Sequence, residues 1–236
     1  MATRKVNRQS GRDPRVRGPR GGTRPVRRTE RGEQRRQALV EASLAVFLEQ
    51  GYERASIEEV MRRVGGSKAS LYSYFGSKEG LFSEVVLTQF DRFLQDLQLP
   101  DRADAHVERT LTAIGCRFLH KLSEPSALGL FRIIVAEAPR FPVLAERFYE
   151  QGAMRVRHQL GHYLRLQHEA GRVNCPDPEA SAMYFFELVR GPHLRLLLGV
   201  PPQPRDPSPD RYVAAAVKVF LHGCAGPAAG RGAAQR

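Results

Sequence analysis

Two short segments, SIEEVMRRV at 56–64 and SKASLYSYF at 67–75, flank the pair Gly65–Gly66, and no other stretch constrains the fold so tightly. In the first, Ile57, Val60, Met61 and Val64 recur at helical spacing, leaving the charged residues on the other face. Ser56 stands before that run with Glu59 three residues on, the pattern of a capping box. The glycine pair ends the helix. Ser67 caps the next, Lys68 to Phe75, in which Leu71 and Phe75 sit at i, i+4 and point inward before Gly76 breaks the run. A short amphipathic helix, a glycine turn and a second short helix rich in hydroxyls make a helix-turn-helix. Its second helix is shaped to lie in the major groove of DNA.

The flanking sequence supplies what such a motif packs on. A first helix is predicted from about Gly32 to Gln50, with Leu39, Val40, Val46 and Phe47 on its apolar face and Gly51 as its C-cap. Ser77 caps a fourth, from Lys78 to roughly Leu97, with Leu81, Phe82, Val85, Val86, Phe90 and Phe93 apolar. Beyond Pro100 the pattern stays helical, over about 103–122, 126–137, 141–171, 177–198 and 208–222, the third of these broken near Gly152. Pro176 and Pro178 mark one break, and PPQPRDPSPD at 201–210 is a loop with five prolines. Strand-like alternation is nearly absent, so the expected fold class is all-α. The expected divisions are a tail at 1–31, a helix-turn-helix domain at 32–92, a helical body at 93–222 and a frayed Gly/Ala-rich end at 223–236.

Charge is unevenly placed. The chain carries a net +12, of which residues 1–31 hold +9 from eleven Lys/Arg and two acids, Asp13 and Glu30. That segment has too little apolar surface to offset the entropy of ordering and reads as a disordered Arg-rich tail. It is either simply solvated or a basic arm that adds contacts to DNA. Apolar residues make up 42% of the whole chain, so the rest is expected to pack.

Several function classes are excluded on residues. Cys116, Cys175 and Cys224 are far apart and odd in number, with no CxxC, so no structural zinc is expected. His158 and His162 stand at i, i+4 with His168 further along, but no HExxH framework accompanies them, and a polar helix face is the simpler reading. No metal and no cofactor are therefore expected. GxSxG and P-loop motifs are absent, so no enzyme is predicted. No apolar run reaches the roughly 18 residues of a membrane span, and no secretory signal opens the chain. The expectation is a cytoplasmic protein with no membrane partner.

The outward positions of the second motif helix are Lys68, Ala69, Ser70, Tyr72, Ser73 and Tyr74. Lysine meets a phosphate or a guanine edge, and small Ala69 permits close approach and touches a thymine methyl. Ser70, Tyr72 and Tyr74 offer hydroxyls to phosphate oxygens. The helix N-termini at Ser56, Ser67 and Ser77 present backbone N–H groups, and Lys78 adds a charge. Double-stranded DNA is the expected partner. A non-specific binder driven by the Arg-rich tail is the rival reading.

From about Arg35 to Val86, ALVEASLAVFLEQGYERASIEEVMRRVGGSKASLYSYFGSKEGLF resembles the DNA-binding domain of the TetR family of one-component regulators. The stretch FRIIVAEAPRFPVLAERFYEQG at 131–152 is similar to an AefR-like subgroup of its effector domains. The resemblance implies a homodimeric repressor with a three-helix DNA head, a linking fourth helix and a body that binds a small apolar or amphipathic effector; an activator, or a regulator with no ligand, is a rival reading the sequence leaves open. Candidate residues for the effector are Phe118, Phe131, Phe148, Tyr149, Met154, Met183, Tyr184, Phe185 and Phe186. The helices at 177–198 and 208–222, with Ala182, Phe185, Val189, Leu194, Val213 and Val217, would pack on the partner subunit. Two departures stand out. Gly66 replaces a branched apolar residue of the family pattern, which loosens the turn, and Ser73 is small where relatives read a base. Lys68 and Ala69 are left as the principal readers.

Overall fold

The computed structural model describes residues 30–97 and 99–223. The expectations for the Arg-rich tail, for Cys224 and for the frayed C-terminal end lie almost wholly outside those residues. Every regular element among the described residues is helical. The head comprises α1 (Glu30–Arg54), α2 (Ile57–Val64), α3 (Lys68–Phe75) and α4 (Lys78–Leu97). The body continues through α5 (Val107–Ser123), α6 (Pro125–Glu137), α7 (Pro142–Phe148) and α8 (Met154–Glu169). Last come α9 (Pro178–Val189), α10 (His193–Leu197) and α11 (Pro209–His222).

Helix starts follow local chemistry. Ser56, Ser67, Asp177 and Ser208 each accept a backbone N–H of their own first turn. Proline opens α6, α7, α9 and α11, where its missing N–H has no helical partner to lose. Only half of the expected capping box forms: Ser56 Oγ accepts from Glu59 N at 3.2 Å, but the Glu59 carboxylate is held by Arg62 and Arg63.

Three boundaries differ from expectation. α1 runs on to Arg54, but Gly51 breaks it with φ 74° and ψ 169°, so the regular helix stops where its C-cap was expected. α5 starts at Val107 rather than near 103, because Asp104 Oδ1 accepts from His106 N at 2.7 Å and turns the chain there. The predicted helix 177–198 is two helices. Pro192 has no N–H for the Leu188 carbonyl, and the Tyr212 hydroxyl donates to that carbonyl instead, at 2.9 Å. The break expected near Gly152 is one π-helical turn, Tyr149–Ala153. A side chain at Gly152 would collide with the Phe90 ring of α4, so glycine is what lets the turn lie against that helix.

Two apolar clusters form. One centres on Phe47, Tyr52, Leu71, Phe82 and Val85 and draws in Leu130 and Ile134 from α6. The other centres on Leu111, Ile114, Leu160, Tyr163, Phe185 and Val217. α4 belongs to both, giving Val86 to the first and Leu94 to the second. The head also grips the body through the Glu53–Arg140 ion pair and the Tyr52–Phe141 ring contact at 5.2 Å.

Candidate nucleic-acid interface

α2 and α3 are short, and their inward residues bury fully only where α1 and α4 cover them. Leu71 is fully buried, while Phe75 and Tyr74 are half-buried, their rings tilted at 45° with centroids 6.0 Å apart. The remaining face of α3 is open. Ser67, Lys68, Ala69, Tyr72 and Ser73 are exposed, Tyr72 at 44% despite its size. Ser70 is half-buried, and its N–H is held by Ser67 Oγ at 3.2 Å. Ser73 Oγ donates back to the Ser70 carbonyl at 2.7 Å, which leaves its lone pairs outward.

Two lysines have partners within the head. Lys68 Nζ pairs with Glu58 of α2, and this hydrogen bond holds the exposed Glu58 carboxyl below its usual pKa. Lys78 Nζ donates to the Glu53 carbonyl at 3.1 Å and lies 4.6 Å from the Tyr52 ring centroid. Burial lowers the Lys78 pKa, against the opposing pull of Glu79 and Glu137. Neither partner was evident from helical spacing.

The turn is not loose. The Arg35 guanidinium of α1 donates to the Val64 carbonyl at 2.9 Å and to that of Gly65. A Cβ on Gly66, whose φ is +90°, would run into the same guanidinium. Arg35 thus occupies the space of the apolar side chain that Gly66 lacks, from 31 positions upstream. The expectation that Gly66 leaves this turn unsupported is corrected.

The body holds a half-open cavity of about 400 Å³ between α4, α5, α6, α8 and α9, within the range that takes a drug-sized molecule. Of the aromatic and methionine candidates, Phe118, Phe131, Phe148, Tyr149, Met154, Met183 and Phe186 line it. Tyr184 faces solvent at 58% exposure, and Phe185 is fully buried in the core. Sequence reasoning missed the contribution of α4, namely Val86, Gln89, Phe90 and Phe93, and also His193. A signal for Gln89 existed: it interrupts the apolar stripe set by Val85, Val86 and Phe93. Among the described residues, no group of three or more His, Cys, Asp or Glu is placed to hold a metal ion, and no helix is long and apolar enough to cross a membrane.

Residues 39–85 match the model of bacterial regulatory proteins of the tetR family, and residues 109–223 match the AefR-like transcriptional repressor C-terminal domain. The chain belongs to the TetR family. Its fold superposes on a TetR-family regulator from Mesorhizobium loti with a TM-score of 0.73 at 27% identity, covering 81% of this chain and 97% of that one. For the flavonoid-responsive regulator FrrA the TM-score is 0.67 at 30% identity, over 80% and 95% of the two chains. The transcriptional activator FasR of Mycolicibacterium smegmatis is 38% identical over 80 residues, 34% of this chain and 36% of FasR. TetR-family members bind DNA and typically act as dimers with small-molecule ligands. This TetR-family chain is a helix-turn-helix transcriptional regulator and not an enzyme.

Proposed function

We propose that this regulator is a repressor that binds a near-palindromic operator as a homodimer and leaves it when a small apolar or amphipathic effector enters the body. The open face of α3 carries the reading. Lys68 and Ala69 meet base edges, while Ser56, Ser67, Ser70, Tyr72, Ser73, Tyr74 and Lys78 meet the phosphate backbone. Two copies of α3 would enter successive major grooves.

The effector reading is supported by the cavity and by α4, which links it to the head: its first turn carries Lys78, and Gln89, Phe90 and Phe93 line the cavity. A ligand that favours one placement of α4 shifts DNA affinity by a coupling of about 1–3 kcal/mol. FrrA is described as flavonoid-responsive, in keeping with an aromatic-lined site for a small molecule. FasR is described as an activator, so activation is the second reading.

The dimer reading needs a revised surface. Ala182, Phe185, Val189, Val213 and Val217, expected against a partner, are buried within their own subunit. Tyr184 of α9, Leu194 of α10, Leu198 just past α10 and Val219 of α11 stay exposed, and these are the groups a partner would cover. The site of action is the cytoplasm.

Selection of DNA from a random pool at near-physiological salt tests the function. It is done with the full chain and with a form lacking residues 1–31. Enrichment of one near-palindrome by both supports a dimeric, sequence-specific regulator. Binding only by the tailed form, without sequence preference, assigns nucleic-acid contact to the Arg-rich segment and removes the proposal.

A further inference from the structure

The cavity wall is apolar except at a few places, and two of those are polar atoms without a protein partner. His193 Nε2 and Gln89 Nε2 are both buried, with no hydrogen-bond partner among the described residues. His193 is only 6% exposed. The Leu122 backbone carbonyl acts on this ring and favours a proton on it, and with that proton on Nδ1 the lone pair lies on Nε2. Burial, and after it the charge of Arg190, holds the imidazole below its usual pKa, so the ring is neutral at neutral pH. In that tautomer Nε2 is a buried acceptor, and the Gln89 amide nitrogen is a buried donor. Groups of this kind are costly when left unpaired, which makes them the places where a ligand gains most from a matching group.

The rest of the wall narrows the class. Phe90 meets Phe148 edge-on at 4.9 Å, Phe118 meets Phe186 at 4.5 Å, and Phe131 meets the His193 ring at 5.6 Å. Rings presented at such angles favour a flat aromatic guest, which they can meet by edge and by face. The charged residues of the wall have protein partners: Arg190 pairs with Glu187 at 2.9 Å, and Arg157 Nε donates to the Glu179 carbonyl at 3.0 Å.

We infer that the cavity takes a neutral, planar aromatic molecule bearing a hydroxyl, which donates to His193 Nε2 while a second ligand oxygen accepts from Gln89. This rests on the reading of the cavity as the effector site and adds the chemistry of its occupant. Gln89 belongs to α4, so the ligand oxygen bound there engages the helix that carries the head. The rival is a fatty carboxylate drawn to Arg157. A carboxylate has no proton for His193 Nε2, and an alkyl chain makes no use of the ring geometry.

Calorimetric titration of the full-length protein separates these. The probes are flavone, which is planar with a carbonyl but no hydroxyl, the set of its monohydroxy isomers, and dodecanoate. The best monohydroxyflavone is expected to bind at least about tenfold more tightly than flavone. In His193→Phe that preference is expected to fall to within about twofold, with flavone binding retained. Gln89→Leu is expected to weaken flavone and hydroxyflavone alike and to keep the preference. If circular dichroism shows that His193→Phe does not fold, His193→Met takes its place. Equal binding of flavone and all its hydroxy isomers, or a hydroxyl preference that survives in the His193 variant, overturns the proposal. Binding of dodecanoate with no flavone bound overturns the ligand class and leaves the effector reading standing. Binding of neither class removes both.

Discussion

Lys68 is the residue on which the proposed base reading most depends, and its pairing with Glu58 gives it a second state. In the free protein the carboxylate holds Nζ against α2, and near DNA the same carboxylate would face phosphates of like sign. Glu58→Gln is therefore expected to tighten operator binding several-fold and to steepen its salt dependence, measured as binding constants over a salt series. Lys68→Ala is expected to change preference at particular base pairs, read from selected sequences. An unchanged profile would remove Lys68 from the readout. His193 gives a pH signature at the same scale. Its folded-state pKa lies below the ordinary 6.5, so the unfolded chain takes up the proton first as pH falls. The stability tied to its neutral form is complete above that value and declines below it, at up to about 1.4 kcal/mol per pH unit, until the folded ring protonates. Urea unfolding of wild type and His193→Phe across pH 5 to 8, a window set by the ordinary histidine value, is expected to give a shallower acid-side fall in the variant.

Among the elements, the α2–α3 turn is held by a side chain from α1. Arg35→Ala removes two charge-assisted bonds to backbone carbonyls and is expected to cost about 1–3 kcal/mol in urea unfolding. Gly66→Ala is expected to cost about 1–2 kcal/mol from its positive φ alone, and more while Arg35 is present, because the two side chains compete for one space. The double variant should therefore be less destabilised than the sum of the singles; strict additivity would mean that Arg35 does not fill the place of the missing side chain. The π-helical turn that contains Gly152 belongs at this scale too. It sets Tyr149 and Ala153 in the cavity wall while Gly152 abuts Phe90. Helical periodicity located that break but not its form, because an extra residue in one turn leaves the apolar pattern on either side intact.

Over the whole molecule, α4 serves two cores at once. In the proposed function a ligand between α4 and the body and an operator beneath the head would act on one helix, and their bindings would be linked. Operator DNA is expected to weaken ligand affinity by the same factor by which ligand weakens operator affinity. Calorimetry with and without a saturating selected operator measures the first factor, and DNA titration with and without ligand measures the second. Identical ligand affinity in both states would disprove this switch.

The sequence by itself determined the all-helical class, the helix-turn-helix at 56–75 and four of the six outward residues read on α3, namely Lys68, Ala69, Tyr72 and Ser73, whereas Ser70 and Tyr74 are half-buried. These follow from spacing, caps and glycine breaks, which act within a few residues. Tertiary structure alone decided the partners of Lys68 and Lys78, the filling of the Gly66 space by Arg35 and the joining of Gln89 to His193 in one cavity. Those pairings connect residues 10 to 104 positions apart, and no local pattern encodes which distant side chain will reach a given gap. The same cause moved Phe185, Val213 and Val217 from an expected interface to the subunit's own core: periodicity fixes which face of a helix is apolar, and only packing decides what covers it.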